Sequence, residues 1–213
     1  MDPSVFIPAL FVVPALGAGV AWWLAPKQRA RRLIRRAKEK LLGAVADGDH
    51  VRVLGLVRSA RETLCAPYSG RRCVAFRAVV YTADHANDDK GSEISRVERS
   101  VPFFLVADGI EARVEGPFLL GLEIDDRGTE AELPRGAFKE ARRFLVGLRW
   151  NEATLEEGDP VWVLGRARVA IDPQGQPEEL RGQPVLRVFA GTKRTPVVVA
   201  DEDSPGDLDW LSR

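Results

Sequence analysis

The sequence predicts a mainly β protein of the α+β class: an N-terminal transmembrane helix, then a β-rich domain with an OB-like barrel as its candidate architecture, and one inserted amphipathic helix. Three observations predict it. Residues Pro3 to Pro26 contain no charged side chain. After Asp49 the chain turns to alternating, β-branched runs bounded by turn residues. One later stretch, with Ala137, Phe138, Ala141, Phe144, Leu145 and Leu148, repeats at helical spacing instead.

The first element, residues 1–26, reads as a membrane anchor because roughly 20 apolar residues rising ~1.5 Å each cross a hydrocarbon core of ~30 Å. A secretory signal peptide is the alternative, but the positive region before the apolar core is missing. Trp22 and Trp23 stand where an amphipathic ring meets the headgroups, and Ala15, Gly17, Gly19 and Ala21 let two such helices pack closely, so a homo-oligomer is one expected option. Lys27 to Lys40 carries eight basic residues against one acid. A basic flank after the span puts the amino terminus outside and the rest of a single-pass membrane protein in the cytoplasm.

Residues 27–48 form the second element. Leu33, Ile34, Ala37, Leu41 and Val45 fall at helical spacing among arginines, which predicts a basic juxtamembrane helix ending near Gly43 or Gly48. Arg31, Arg32, Arg35 and Arg36 are its candidate lipid-facing residues, since polybasic segments attract anionic headgroups at ~1 kcal/mol per side chain. A plain solvated linker helix fits the same pattern.

From Leu41 onward, twenty-three basic residues face twenty-nine acidic ones, so the body is acidic, net −6. That disfavours nucleic acid as a partner. Strands are predicted at Val51 to Arg58, Cys73 to Thr82, Ile94 to Val106, Ile110 to Val114, Pro160 to Ile171, Pro184 to Phe189 and Pro196 to Ala200, with a polar loop at Asp84 to Glu93. The β-rich domain thus occupies 49–200. Residues 201–213 make an acidic tail containing Trp210 and Leu211, read as a solubilising segment or a docking peptide.

Val51 to Ala60 matches Val161 to Ala170 at six of ten positions, including Gly55 and Gly165. A central glycine allows the bend with which a small barrel turns a corner. The match implies either two related halves or two strands under one steric demand within one barrel.

Between the first two strands, Pro67 presets a turn and Gly70 tolerates positive φ, so Pro67, Tyr68, Ser69, Gly70, Arg71 and Arg72 form a rigid candidate binding loop. The arginine pair suits a carboxylate or phosphate. Only Cys65, Cys73, His50 and His85 offer soft metal ligands, and no nucleophile triad or phosphate-cradling glycine loop is present, so no metal, no cofactor and no enzymatic activity are expected.

The run Glu62 to Arg77, centred on Cys65-Ala66-Pro67-Tyr68-Ser69-Gly70-Arg71-Arg72-Cys73, resembles the GIDE, or beside-a-membrane, domain. The likeness extends to Val101 to Asp108-Gly109 and to Leu155 to Gly165. It implies a membrane-proximal recognition module that binds an unidentified protein partner or lipid headgroups. The family's eukaryotic members are ubiquitin ligases with a zinc-binding RING. Four Cys and His residues cannot fill the eight ligand positions of a RING, so the alternative implied here is a RING-less component of a ubiquitin-ligase-like system whose catalytic part lies in another chain.

Overall fold

A computed structural model describes residues 26–82, 92–133, 147–171 and 185–201. The chain opens with α1 (Pro26–Arg36), followed by a 3-10 turn at Leu42–Ala44, and then by β1 (His50–Ser59), β2 (Leu64–Cys65), β3 (Arg72–Cys73), β4 (Ala75–Thr82) and β5 (Glu93–Ser100). Next come β6 (Phe103–Ala107), β7 (Ile110–Glu115), β8 (Phe118–Leu120), β9 (Asp126–Thr129), β10 (Leu148–Leu155), β11 (Pro160–Ile171), β12 (Val185–Ala190) and β13 (Val197–Asp201).

Five strands close a ring. β1 pairs with β6, β6 with β7, β7 with β12, β12 with β11, and β11 again with β1; the β7–β12 pair alone is parallel. This is the strand order of an OB barrel, in which the third and fifth strands run parallel and the first and fourth close the ring. Alternation fills it: Val51, Val53, Val57, Phe103, Leu105, Val114, Val161, Val163 and Phe189 point inward as one buried cluster. Leu42 and Val45 join that cluster from the 3-10 segment, and Arg187 donates to the carbonyls of Gly43 and Val45 to hold the segment in place.

The repeated decapeptide lies at the seam. Val53 stands opposite Val163, Val51 opposite Gly165 and Gly55 opposite Val161, so the two copies are related by a local two-fold axis between the valines. Both therefore line one barrel as antiparallel neighbours.

A second sheet, in the order β5-β4-β10-β9, is built from the insertions between β1 and β6 and between β8 and β11. Its Ala75, Ala153 and Leu155 belong to the barrel's apolar cluster, as do Val74 and Val101 beside it. The second sheet thus packs at the end of the barrel where β1 finishes and β6 and β11 begin.

Several expectations need correction. The transmembrane helix is the first: among the described residues no helix is long and apolar enough to cross a membrane. The predicted span covers residues 3–26, of which 3–25 lie outside the described residues, and Pro26 opens α1, eleven residues long and rich in arginine. The fold class is a β-rich barrel protein with a short basic helix. That helix also stops at Arg36 rather than near Gly43, because the following backbone pairs with β1: Arg52 donates its amide to the Lys38 carbonyl (2.9 Å) and Lys40 donates to the Arg52 carbonyl (3.1 Å). The inserted amphipathic helix expected from Ala137 to Leu148 lies outside the described residues as far as 146, and Leu148, assigned to it by spacing, opens β10 instead. Residues 84–91 of the polar loop and the tail from 202 also lie outside them. The single strand predicted from Ile94 to Val106 is broken at Val101-Pro102 into β5 and β6, which belong to different sheets.

Candidate functional site

The loop between β2 and β3 closes as a hairpin. Leu64 pairs with Cys73 and Cys65 with Arg72, while the Ala66 amide donates to the Arg71 carbonyl (2.9 Å) and the Gly70 amide to the Ala66 carbonyl (3.1 Å). Gly70 has φ 74°, the left-handed region that a side chain disfavours. Pro67 is exposed at the start of the turn.

What fixes this loop is a buried carboxylate that spacing did not single out. Glu152 of β10 is fully buried and accepts the amides of Tyr68 (3.0 Å, Oε1) and Ser69 (2.8 Å, Oε2). Two backbone donors converging on one anion make a compact nest, and such charge-assisted bonds are stronger than neutral ones. Tyr68 turns inward, its ring centroid 5.3 Å from that of Trp150 at 45°. Burial, then the Glu152 charge, pushes the Tyr68 hydroxyl above the usual tyrosine range. Ala66 and Cys73 pack with Phe76 and Ala78 beneath.

The arginine pair divides. Arg71 donates to Glu156 (3.2 Å) and lies 3.3 Å from Asp126, and the Glu156 hydrogen bond, ahead of the Asp126 charge, raises its already high pKa. Its guanidinium is thus engaged by the protein's own acids, although Arg71, like Arg72, is exposed. Ser69 Oγ accepts the Arg71 amide at 3.3 Å. Around them Asp125 accepts both the amide (2.7 Å) and the hydroxyl (2.9 Å) of Thr154, and Asp159 accepts the Glu156 amide (2.7 Å). Among the described residues no cluster of His, Cys, Asp and Glu has the arrangement of a metal site.

Cys65 and Cys73 are both free thiols. Register explains why: Cys73 faces Leu64, so the two side chains leave opposite faces of the hairpin. Burial, reinforced by the Glu152 and Glu156 charges, pushes the Cys73 thiol up to about 11. It stays protonated at neutral pH and is no nucleophile.

The basic helix presents a second candidate surface. Ala30 and Ile34 are buried with Trp162 and Leu164 of β11 and Val198 and Ala200 of β13, on the outside of the barrel. Arg52 anchors the end of α1: its guanidinium donates to the Ile34 carbonyl (3.1 Å) and to Glu39 (2.8 Å), and lies 4.7 Å from the Trp162 ring centre. Arg31 forms an ion pair with Glu123 of the body. Arg29, Leu33 and Arg36 are exposed, Arg32 and Arg35 half-buried. Of the four arginines expected to face lipid, the structure places Arg36 outward and ties Arg31 to the body.

A third feature escaped sequence reasoning. Arg58, Phe104 and Arg113 occupy one rung across β1, β6 and β7, and with Arg61 and Pro102 they line a groove of about 540 Å³ on the barrel's outer face. The Arg58 guanidinium lies 4.8 Å from the Phe104 ring centre. Glu111 pairs with Arg58 and Glu115 with Arg113 (2.8 Å), so the groove's charge is largely answered from within. Only long-range register brings these residues into line.

No family model matches the chain, and neither a curated protein nor a solved structure matches it.

Proposed function

We propose that this protein is a recognition module of the GIDE type working at an anionic membrane surface, where its basic helix meets lipid headgroups and its β-rich body engages a protein partner. The observation that carries the reading is the two-sidedness of α1. Ala30 and Ile34 are used up against the barrel, which leaves Arg29, Leu33 and Arg36 on the exposed side, with Leu41 71% exposed just beyond. An exposed leucine among guanidinium groups suits the boundary between headgroups and acyl chains. The leaflet that supplies such anionic lipid in a cell is the cytoplasmic one, which sets the proposed side.

The test is binding of the full-length chain to vesicles of phosphatidylcholine with and without phosphatidylserine. Arg29→Glu/Arg36→Glu is expected to weaken the phosphatidylserine-dependent part of binding about thirtyfold or more, from ~1 kcal/mol per basic residue. High salt is expected to remove the same part. Any binding through the uncharged N-terminal stretch responds to neither change. Equal affinity of variant and wild type for anionic vesicles would sink the proposal.

A further inference from the structure

Among the described residues β5 bonds to β4 alone and forms one edge of the second sheet. Its residues from Arg96 to Ser100 are all exposed, and Val97, 37% exposed, is among the few large apolar side chains exposed by the described residues. Edges of this kind are usually guarded by charge, which repels a generic incoming strand. Here the order of the charges does something more specific.

The Val101 amide donates to the Val74 carbonyl (2.9 Å), and the register runs Ala75 with Ser100, Phe76 with Arg99 and Ala78 with Val97. In an antiparallel ladder bonded pairs alternate with non-bonded ones, so Arg99 and Val97 exchange bonds with β4. Arg96 and Glu98 then turn their backbone N–H and C=O groups outward, toward the open edge. We propose that two copies of this chain associate by pairing their β5 edges antiparallel about a two-fold axis at Val97. In that register Val97 meets Val97 of the second copy as a closely spaced non-bonded pair. Arg96 meets Glu98 of the second copy and Glu98 meets its Arg96, each as a bonded pair that uses the outward groups.

Backbone phase admits a two-fold axis centred on a residue of this edge and excludes one placed between residues, and among the admitted axes the charges single out Val97. Moving the axis to Arg96 would oppose arginine to arginine, and moving it to Glu98 would oppose acid to acid. Arg96 now pairs with the exposed Glu93 of its own strand (2.6 Å), a surface contact worth little, so redirecting it costs little. The result continues β9-β10-β4-β5 into an eight-stranded sheet across two chains. One strand edge is a small interface, so the association is weak and concentration-dependent.

Sedimentation of the full chain in mild detergent, over a range of concentrations, tests this. Arg96→Glu alone and Glu98→Arg alone each oppose like charges twice across the axis, and each is expected to weaken self-association roughly tenfold or more. An equimolar mixture of the two variants is expected to recover wild-type association, because in the heterodimer every 96–98 contact is again between opposite charges. In a Cys65→Ser background, Val97→Cys is expected to form an intermolecular disulfide under mild oxidation, and Arg99→Cys, displaced from the axis, is not. A wild-type chain that stays monomeric, a mixture no better than its components, or crosslinking at residue 99 equal to that at 97 would overturn the proposal. So would capture of an extended segment of a different protein on this edge in place of a second copy.

Discussion

Glu152 shows how much one buried side chain decides. Its two oxygens satisfy the amides of Tyr68 and Ser69, which have no other partner in the hairpin, and both are lost when the carboxylate is removed. Glu152→Ala is expected to cost about 2–5 kcal/mol, since each buried donor left unpaired costs ~1–3 kcal/mol. Glu152→Gln keeps one acceptor and is expected to cost less. Urea unfolding gives both numbers, and a Glu152→Ala chain as stable as wild type would show that the loop is held by something else. The thiols make a simpler contrast: at pH 8 iodoacetamide is expected to modify the exposed Cys65 in the native chain and to reach Cys73 only in denaturant, because burial holds the latter's pKa at about 11.

Two aspartates respond to acid in opposite senses. Burial raises the Asp159 carboxyl above 3.8, against the opposing hydrogen bond from the Glu156 amide, so its ionised form costs stability at neutral pH and that cost fades as pH falls through the raised value. Asp49 is held below 3.8, first by its hydrogen bond from Lys40 and then by the Ala46 amide, so it contributes stability above 3.8 that is lost as pH falls through the lowered value. Asp159→Asn, whose amide oxygen still accepts the Glu156 N–H, is expected to raise the Tm at pH 7. The gain should shrink as pH approaches 3.8; a gain unchanged down to that pH would refute the assigned cause.

At the scale of elements, the seam between β1 and β11 holds the clearest lesson. The repeated decapeptide gives both strands a glycine, yet the two glycines meet different surroundings. A Cβ on Gly55 would stand 2.8 Å from the Leu105 side chain and 2.8 Å from the Val106 carbonyl oxygen, whereas one on Gly165 meets nothing nearer than 3.4 Å. Gly55→Ala is therefore expected to cost about 1–3 kcal/mol through overpacking, and Gly165→Ala less than about 1 kcal/mol. Equal costs in chemical denaturation would argue that both glycines answer one demand. The docking of α1 is the second case. Ile34→Ala removes its largest buried anchor and is expected to cost ~2–4 kcal/mol. Arg52→Ala is expected to speed amide exchange across α1 while leaving barrel amides unchanged, because Arg52 ties the helix end to β1 without lining the barrel.

The strands were legible where alternation was strong: β1, β7, β11 and β13 fall within a residue or two of their sequence-based bounds. β9 and β10 were not. Asp126-Arg127-Gly128-Thr129 has no apolar period, and β10 places Trp150, Glu152 and Thr154 on one face, a mixed pattern that hides the strand. That same parity, an acid flanked at two-residue spacing by a tryptophan and a threonine, is the signal by which Glu152 was findable.

For the whole molecule, one apolar cluster runs through the barrel and into Ala75, Ala153 and Leu155 of the second sheet, so the two sheets are expected to unfold as one cooperative unit. Their slowest-exchanging amides, in β4 and β10 on one side and β1 and β11 on the other, are expected to open with the same free energy. A second sheet that exchanges faster as a block would divide the body in two.

The amino-acid sequence by itself determined what repeats over a few residues: the two-residue period of the barrel strands, the rigid Pro67 to Gly70 turn, the basic helical face and the scarcity of cysteine and histidine. Those are properties of local backbone sterics and side-chain chemistry, written within one turn or one pleat. Tertiary structure decided which strands close the ring, that β7 and β12 run parallel, that Arg71 answers Asp126 and Glu156, and that Glu152 reaches a loop 84 residues away. Such pairings depend on burial gained only after distant segments meet, and no local period records which segments those are.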